Sequence, residues 1–306
     1  MSTLLISHHD CEKHMMLDHH PESPARLQSI ANALRAQDWA AELQQLSASE
    51  IDAELFAGVH PRHYLDMLAE LDPGEGFARI DADTSLNQYS LRAARLAAGA
   101  AIQATEAVLG GVADTAFCAV RPPGHHAESA IGMGFCIFNN VALAAERALS
   151  LGAERVAILD FDVHHGNGTV EIFLERPEVM VCSSFQYPFY PGRMDQVNAA
   201  HIVLTPLAAG SSGDQFRQAV ERDWLPALLR HQPDLILVSA GFDAHRQDPL
   251  GGLLLEDADF AWVSQLIVDA ARRLCQGRIV STLEGGYHLD ALARCVSIHL
   301  RELLAQ

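Results

Sequence analysis

Short apolar runs alternate along the chain with longer segments in which apolar residues recur every three or four positions. The short runs predict β-strands, and several are apolar at nearly every position, as in parallel strands covered on both faces. The predicted strands are residues 4–7, 116–120, 156–161, 179–183, 202–205, 235–239 and 279–283. The predicted helices are residues 23–36, 90–108, 140–150, 214–230, 257–274 and 289–304.

This alternation predicts an α/β fold in one domain spanning residues 1–306. We expect a doubly wound, mostly parallel sheet of about eight strands with helices on both faces. The sequence contains no internal repeat, low-complexity tract or linker that would divide it. In such sheets, functional sites lie beyond the carboxyl ends of the strands.

Composition narrows the classes of partner. The chain has 39 acidic and 21 basic residues, a formal net charge of −18. Such a surface disfavours direct binding to nucleic acid or to anionic membranes and tolerates cationic substrates. The six cysteines form no CxxC pair, and neither a signal sequence nor an uninterrupted apolar run of membrane-spanning length is present. We therefore expect a cytoplasmic protein with reduced thiols and no membrane association.

Polar residues follow two of the predicted strands in a pattern typical of metal sites. Asp160, Asp162 and His164 share one face of an extended segment, so they project together at a strand end. Two carboxylates and an imidazole crowded there need a cation to organise them. A second buried strand leads to Asp243 at the same edge of the sheet. Asp162, His164 and Asp243 thus form an N/O site with an open position. The alternative is a loop whose Asp and His only cap helices.

Candidate acid and base groups follow two further strands. His125 and His126 end an RPPGHH stretch, in which the prolines and the glycine would fix them in place. Adjacent histidines on the surface are the simpler alternative. Glycines in the segment 132–136 permit close packing around a narrow space. Tyr287 ends an LEGGY stretch, and beside a metal its hydroxyl could donate to a developing oxyanion. Simple loop packing is the alternative there.

Together these stretches resemble the histone deacetylase family, which has the arginase–deacetylase fold. The resemblance begins at the HHPESPARL stretch of residues 19–27, similar to the HPExPxRL stretch of class II-like members, and ends near Tyr287. It covers almost the whole chain. Without long tails, the sequence is similar to the stand-alone bacterial enzymes.

The resemblance implies a zinc-dependent hydrolase of N-acyl amides. It assigns Zn²⁺ to Asp162, His164 and Asp243, although such a ligand set is also compatible with Fe²⁺. His126 would act as general base and then general acid, His125 as its electrostatic partner, and Tyr287 would polarise the carbonyl. The substrate implied is N-ε-acyl-lysine. Acetylpolyamine or another small acylated amine, and longer or aromatic acyl chains, are alternatives.

The resemblance also implies a second ion site and a tunnel. A structural K⁺ site would comprise Asp160, the Ser183 hydroxyl and the backbone carbonyls of Asp162 and His164, and Asn167 would support the second histidine. The acyl-lysine tunnel would be lined by Gly134, Phe135, Tyr190 and Pro123. The oligomeric state stays open.

Four positions depart from common family patterns. Asn167 replaces the acid that class I members pair with the second histidine, which favours a class II-like assignment. Tyr190 and Phe185 stand where many relatives have Phe and His. Leu250 replaces the acidic gatekeeper of polyamine-specific relatives and disfavours acetylpolyamines.

Two alternative functions differ from deacylation. A catalytically inactive acyl-lysine-binding module would lack one of the metal ligands or Tyr287. A manganese ureohydrolase would need further metal ligands, and the tandem histidines and GGY fit deacylation better.

Overall fold

The computed structural model describes residues 2–305 and contains one eight-stranded, fully parallel sheet. Its strand order is β2-β1-β5-β10-β9-β6-β7-β8. The strands are β1 (Thr3–Ser7), β2 (Gln44–Ser47), β5 (Thr115–Ala119), β6 (Val156–Asp160), β7 (Val179–Gln186), β8 (Ile202–Leu207), β9 (Leu235–Ala240) and β10 (Ile279–Leu283). A separate two-stranded pair consists of β3 (Ala78–Arg79) and β4 (Ser85–Leu86).

The central strands are apolar because neither face of the sheet reaches water. Every residue of β5, β6, β9 and β10 is buried. In the centre, Ile158 pairs in register with Leu237 on one side and Val181 on the other. Continuous apolar strands of this kind are the ones that parallel pairing between two helix layers requires.

Helices cover both faces of the sheet around one hydrophobic core. The helices are α1 (Ala25–Arg35), α2 (Arg62–Leu71), α3 (Ser90–Leu109), α4 (Asn140–Ser150), α5 (Asn167–Phe173), α6 (Gly213–His231), α7 (Asp257–Leu274) and α8 (Leu289–Leu304). One layer is the packed series α1, α8, α7 and α6, and the other is α3, α4 and α5. No helix within residues 2–305 is both long and apolar enough to cross a membrane.

The structure confirms the predicted α/β class, the seven predicted strands and the six predicted helices, with bounds shifted by a few residues. It adds elements that the hydrophobic pattern does not mark. Strand β2 is exposed at the edge of the sheet and polar in three of its four residues, so it carries no apolar run. Helix α5 has only seven residues, too few for a helical period to be visible.

Candidate active site

Four adjacent central strands, in the order β5-β10-β9-β6, end at the same edge of the sheet. Each is followed by one of the polar stretches that the sequence marks. Residues 121–126 follow β5, residues 284–287 follow β10, residues 241–245 follow β9, and residues 161–165 follow β6. Parallel pairing therefore brings segments that are distant in the sequence to one crevice, the usual place for a site in this architecture.

Three of the predicted ligands form a compact buried cluster. Ligand atoms of Asp162, His164 and Asp243 all lie within 4.8 Å of one another. His164 Nδ1 is 3.1 Å from Asp162 Oδ1 and 3.1 Å from Asp243 Oδ2. Both aspartates are almost fully buried, where two like charges are unfavourable unless a bound cation, a shared proton or a charged neighbour such as His125, 3.8 Å from Asp162, offsets them.

Backbone N–H groups aim these carboxylates. Val163 N–H donates to Asp243 Oδ1 at 2.8 Å, and Gly285 N–H donates to Asp162 Oδ2 at 2.8 Å. Each aspartate thus has one oxygen fixed by the main chain and the other directed at His164 Nδ1. A Cβ atom at Gly285 would collide with both carboxylates, so only glycine allows the β10 loop to approach this closely.

The pKa shifts of His164 and Asp243 show that this cluster favours a bound positive charge. Burial alone would lower the pKa of His164, but hydrogen bonds to Asp162 and Asp243 raise that pKa to about 10. Burial and the Asp162 charge raise the pKa of Asp243 to about 7. A bound cation at this point would take the place of the proton that the three side chains otherwise share.

Two other groups of potential ligands lie elsewhere among the described residues, but their charges are already balanced. His245, Asp257 and Cys295 form one, in which Arg294 Nε donates to Asp257 Oδ2 at 2.8 Å. The other is near the surface at His8, His9 and Asp10, where Asp10 pairs with Lys13 and Arg92. Within residues 2–305, no Lys or Arg pairs with Asp162, His164 or Asp243, so this donor set fits a metal best.

The tandem histidines lie in contrasting environments. His125 Nδ1 donates to Asp160 Oδ2 at 2.9 Å, and His126 Nδ1 lies 2.8 Å from Asn167 Oδ1. Burial opposes charge on His125, yet Asp160 and Asp162 raise its pKa well above the usual value. Burial and the nearby His125 lower the pKa of His126 well below the usual value. His125 is therefore suited to remain charged and His126 to act as a neutral base.

Tyr287 is held beside these groups at the wall of the cavity. Burial raises the pKa of its hydroxyl well above 10, so the hydroxyl keeps its proton and can donate. The guanidinium of Arg26 lies 5.0 Å from the centre of the tyrosine ring, and its Nε donates to Gly286 O at 2.7 Å. Arg26 also donates to the carbonyl of Glu284, so it fixes the loop that carries the tyrosine.

A cavity of about 450 Å³ opens over this cluster. Its lining includes His126, His164 and Tyr287 at the base, the predicted tunnel residues Gly134, Phe135 and Tyr190, and the rim residues Asp83, Gln186, Phe189, Pro249, Leu250, Gly251 and Gly252. Pro123, the remaining predicted tunnel residue, is buried and does not line this cavity. Phe185 is also absent from the wall, because it packs against the His165 ring at 4.3 Å.

Ser183 and Asp160, the residues expected at the second ion site, pair across β7 and β6 in the sheet. Burial lowers the pKa of His165 to about 4, and its Nε2–H donates to Met194 O at 3.0 Å. The Nδ1 atom of this neutral ring must accept, so the Ser183 hydroxyl donates to it at 3.0 Å. The lone pairs of Ser183 are then free for a cation.

Comparison with known proteins shows the family to which the chain belongs. Residues 20–303 match the family model described as the histone deacetylase domain. The chain belongs to the histone deacetylase family. It is 42% identical over 293 residues to the histone deacetylase-like amidohydrolase of Pseudomonas aeruginosa, which covers 93% of this chain and 77% of that protein. It is 36% identical over 326 residues to the mouse polyamine deacetylase HDAC10, covering 99% of this chain and 48% of that protein.

A solved structure supports the same family assignment. The crystal structure of the HDA15 HD domain superposes with a TM-score of 0.94 at 34% identity, over 100% of this chain and 88% of that chain. The family resemblance and the fold expected from the sequence are thus confirmed. As a deacetylase of this family, the protein is an enzyme that acts on amide bonds, in a family that is generally metal-dependent.

Several polar residues around the deacetylase site escape sequence reasoning. Glu128 and Arg193 join behind His126, and Asp248 holds the main chain at Tyr287. Glu284 accepts hydrogen bonds from the backbone N–H groups of Gly124 and His125. The three acidic residues are recognisable because they are charged and yet buried, and burial cannot be seen in a single sequence. Glu284 lies within the LEGGY stretch, and its place beside the two glycines is the one local indication.

Proposed function

We propose that this protein hydrolyses N-ε-acyl-lysine, with Zn²⁺ held by Asp162, His164 and Asp243. The observation that carries the proposal is the cavity whose base brings His126 and Tyr287 beside these three ligands. An open three-ligand N/O site suits a catalytic rather than a structural zinc. The volume and the largely apolar walls of the cavity suit an acylated side chain, and the family's deacetylase and amidohydrolase members support amide hydrolysis.

The roles of the protein's own groups follow from their environments. His126 carries its Nδ1 proton toward Asn167, which leaves Nε2 to take a proton from the attacking water. The same nitrogen then delivers that proton to the amine that leaves. His125, kept charged by Asp160, stabilises the negative charge that develops nearby. Zn²⁺, when bound, supplies Lewis acidity that polarises the carbonyl and makes water a better nucleophile near neutral pH.

Tyr287 completes the set of groups around the reacting carbonyl. Its hydroxyl remains protonated and donates to the carbonyl oxygen as that oxygen becomes an oxyanion. Phe135 packs edge-on against the Tyr287 ring at 5.8 Å, and Tyr190 packs edge-on against the His126 ring at 5.1 Å. These apolar contacts keep water away from the flanks of the substrate.

We further propose a structural K⁺ between β6 and β7. Asp160 and Ser183 would bind it, together with the backbone carbonyls of Asp162 and His164. The free lone pairs of Ser183 and the buried Asp160 carboxylate support this proposal. Such an ion would hold the segment that carries two of the zinc ligands.

An acylated polyamine is the second candidate substrate. The Asp83 carboxylate lines the cavity and could pair with a cationic substrate, and mouse HDAC10, one of the relatives, is named a polyamine deacetylase. Leu250, which also lines the cavity, is apolar and offers no second acidic group. We therefore rank acyl-lysine first.

A substrate panel tests this proposal. Purified enzyme with measured zinc and iron content is assayed on lysine peptides of varied acyl length and on acetylated putrescine, cadaverine and spermidine. We expect kcat/KM to be highest on an acyl-lysine peptide. Tyr287→Phe should lower kcat by about 10²-fold or more with its metal retained, since one oxyanion donor contributes about that much. Higher kcat/KM on the polyamines would overturn the substrate assignment, and full activity of Tyr287→Phe would overturn the role of the tyrosine.

A further inference from the structure

A chain of hydrogen bonds runs from His126 to the surface loop between β7 and β8. His126 Nδ1 lies 2.8 Å from Asn167 Oδ1, and Asn167 Nδ2 donates to Glu128 Oε1 at 2.9 Å. Arg193 completes it by donating through Nε and Nη2 to the two oxygens of Glu128 at 2.8 and 2.7 Å. The four residues come from three segments that are far apart in the sequence.

The chain of bonds has only one consistent direction. A carboxylate that pairs with an arginine accepts hydrogen bonds and donates none, so Glu128 must face the NH₂ group of Asn167. The amide oxygen of Asn167 then faces His126, and this oxygen can also only accept. His126 therefore bears its proton on Nδ1 and presents an unprotonated Nε2 on the side of the ring away from Asn167.

Without Glu128, the NH₂ group of Asn167 would keep only two more distant acceptors, the His126 carbonyl at 3.4 Å and Met133 Sδ at 3.5 Å, so the asparagine would impose this state only weakly. A neutral amide can rotate by half a turn and offer its NH₂ group to His126 with little change in shape. His126 would then carry its proton on Nε2, the wrong nitrogen for a base. The aspartate or glutamate of a histidine–carboxylate pair has no such ambiguity. The asparagine at this position therefore needs a third residue to orient it.

The burial of Glu128 explains the need for Arg193. Glu128 is 3% exposed, and a buried carboxylate without a cationic partner is strongly unfavourable. Arg193 supplies the positive charge with a side chain that is 51% exposed, because it reaches inward from the surface loop. The same loop bears Phe189 and Tyr190, which line the cavity. Arg193 thus fastens the wall of the cavity to the residues behind His126.

We propose that Glu128 is a positioning residue that sets the tautomer of His126 through Asn167, and that Arg193 couples this setting to the placement of the β7–β8 loop. The inference rests on the proposed function, in which His126 is the base. It adds a buried pair, Glu128 and Arg193, that acts without touching the substrate. Moving the negative charge from residue 128 to residue 167 should then preserve the tautomer by a different route.

Two variants test the relocation of the negative charge from residue 128 to residue 167. In Glu128→Gln, an oxygen can face Asn167 only if the new NH₂ group faces Nη2 of Arg193, so the amide of Asn167 is no longer held in one orientation. We expect kcat to fall about tenfold or more, since general acid–base catalysis contributes about 10²–10⁴-fold. KM for a small acetyl-lysine substrate should stay within about twofold. In the double variant Glu128→Gln/Asn167→Asp, the new carboxylate accepts directly from His126, and the glutamine NH₂ group can donate to it. We expect kcat of the double variant to return to within about threefold of the wild type.

The tautomer of His126 can also be measured directly, without an activity assay. In ¹⁵N-histidine NMR spectra, the His126 signal, assigned by its loss in His126→Ala, should show an Nδ1–H ring in the wild type and in the double variant. In Glu128→Gln the signal should move toward the Nε2–H form. Equal kcat in Glu128→Gln and the wild type would overturn the inference. So would equal losses in the single and double variants, because Glu128 would then act on folding alone.

A further arm separates this inference from the proposed function. If His126→Ala is as active as the wild type, the assignment of His126 as the base fails. If His126→Ala is inactive while Glu128→Gln is unchanged, only the role of Glu128 fails. Arg193→Gln should lower kcat in the wild-type background but change it by less than about twofold in the double variant, in which the buried charge lies at residue 167, beside His126, and not at residue 128, which Arg193 contacts. An equal loss in both backgrounds would overturn the coupling through Arg193.

Discussion

Asp248 gives a quantitative test of how the loop bearing Tyr287 is held. Its Oδ2 accepts from the backbone N–H of Tyr287 at 2.6 Å and from that of His288 at 3.1 Å. Its Oδ1 accepts from Leu250 N at 3.0 Å, so one buried carboxylate joins the rim to the catalytic loop. Asp248→Asn keeps the shape of the side chain but leaves one oxygen for three donors.

The size of the effect follows from those bonds. A hydrogen bond to a charged group contributes about 1.5–3 kcal/mol, and the amide must place its NH₂ group against at least one N–H donor. We expect the free energy of unfolding to fall by about 2–4 kcal/mol after partial relaxation. Because Tyr287 is then held less well, kcat should fall by about 10- to 100-fold, within the limit set by loss of an oxyanion donor.

A double-mutant cycle identifies the route of this effect. If Asp248 acts through the tyrosine, Asp248→Asn should lower kcat by less than about threefold when Tyr287→Phe is already present. The control is Asp259→Asn, a similarly buried aspartate that accepts from Glu256 N at 2.8 Å and pairs with Arg217 at the start of α7. The control should lose stability with kcat unchanged. Multiplicative losses in the double variant, at full zinc content, would refute the reasoning.

Three further predictions concern the metal, the close approach of the loops and acid stability. Asp243→Ala should abolish stoichiometric zinc; a full equivalent by elemental analysis would contradict the ligand assignment. Gly285→Ala should also lose zinc, because its Cβ would displace two carboxylates, and Gly210→Ala, where a Cβ meets open space, is the control for added bulk. Away from the proposed metal site, burial lowers the pKa of His14, His60 and His299 from 6.5 to about 3 or 4. Below about pH 6.5 these histidines bind protons in the unfolded chain but stay neutral in the folded protein. The free energy of unfolding therefore falls as pH drops below about 6.5, by about 1.4 kcal/mol per histidine and pH unit. Equal urea-unfolding free energies at pH 7 and pH 5 would show that these rings are not buried as neutral groups.

The sequence was sufficient for the centre of the fold because burial on both faces leaves a strong apolar signal. It was insufficient at the periphery, where the polar edge strand β2 depends on pairing with β1 rather than on its own side chains. Helix α2 shows another limit, since only Tyr64 and Leu68 of its ten residues are buried.

The candidate site divides in a similar way. Asp162, His164, Asp243 and the tandem histidines stand at strand ends, where position along the chain implies position in space. Glu128 and Arg193 are 65 residues apart and meet only because the β7–β8 loop folds back over the site. No local period or motif encodes that contact. The same holds for Asp248, whose partner Tyr287 is 39 residues away.

The position of β10 in the sheet has a consequence for biosynthesis. It is the last described strand along the chain, yet it lies between β5 and β9 in the middle of the sheet. During translation, β5 and β9 therefore each keep one unpaired edge until residues 279–283 have left the ribosome and can pair with both. If Tyr287 acts as proposed, catalytic activity also depends on that strand, because its loop carries the tyrosine. Nascent chains that stall before it are expected to be inactive and to depend on chaperones.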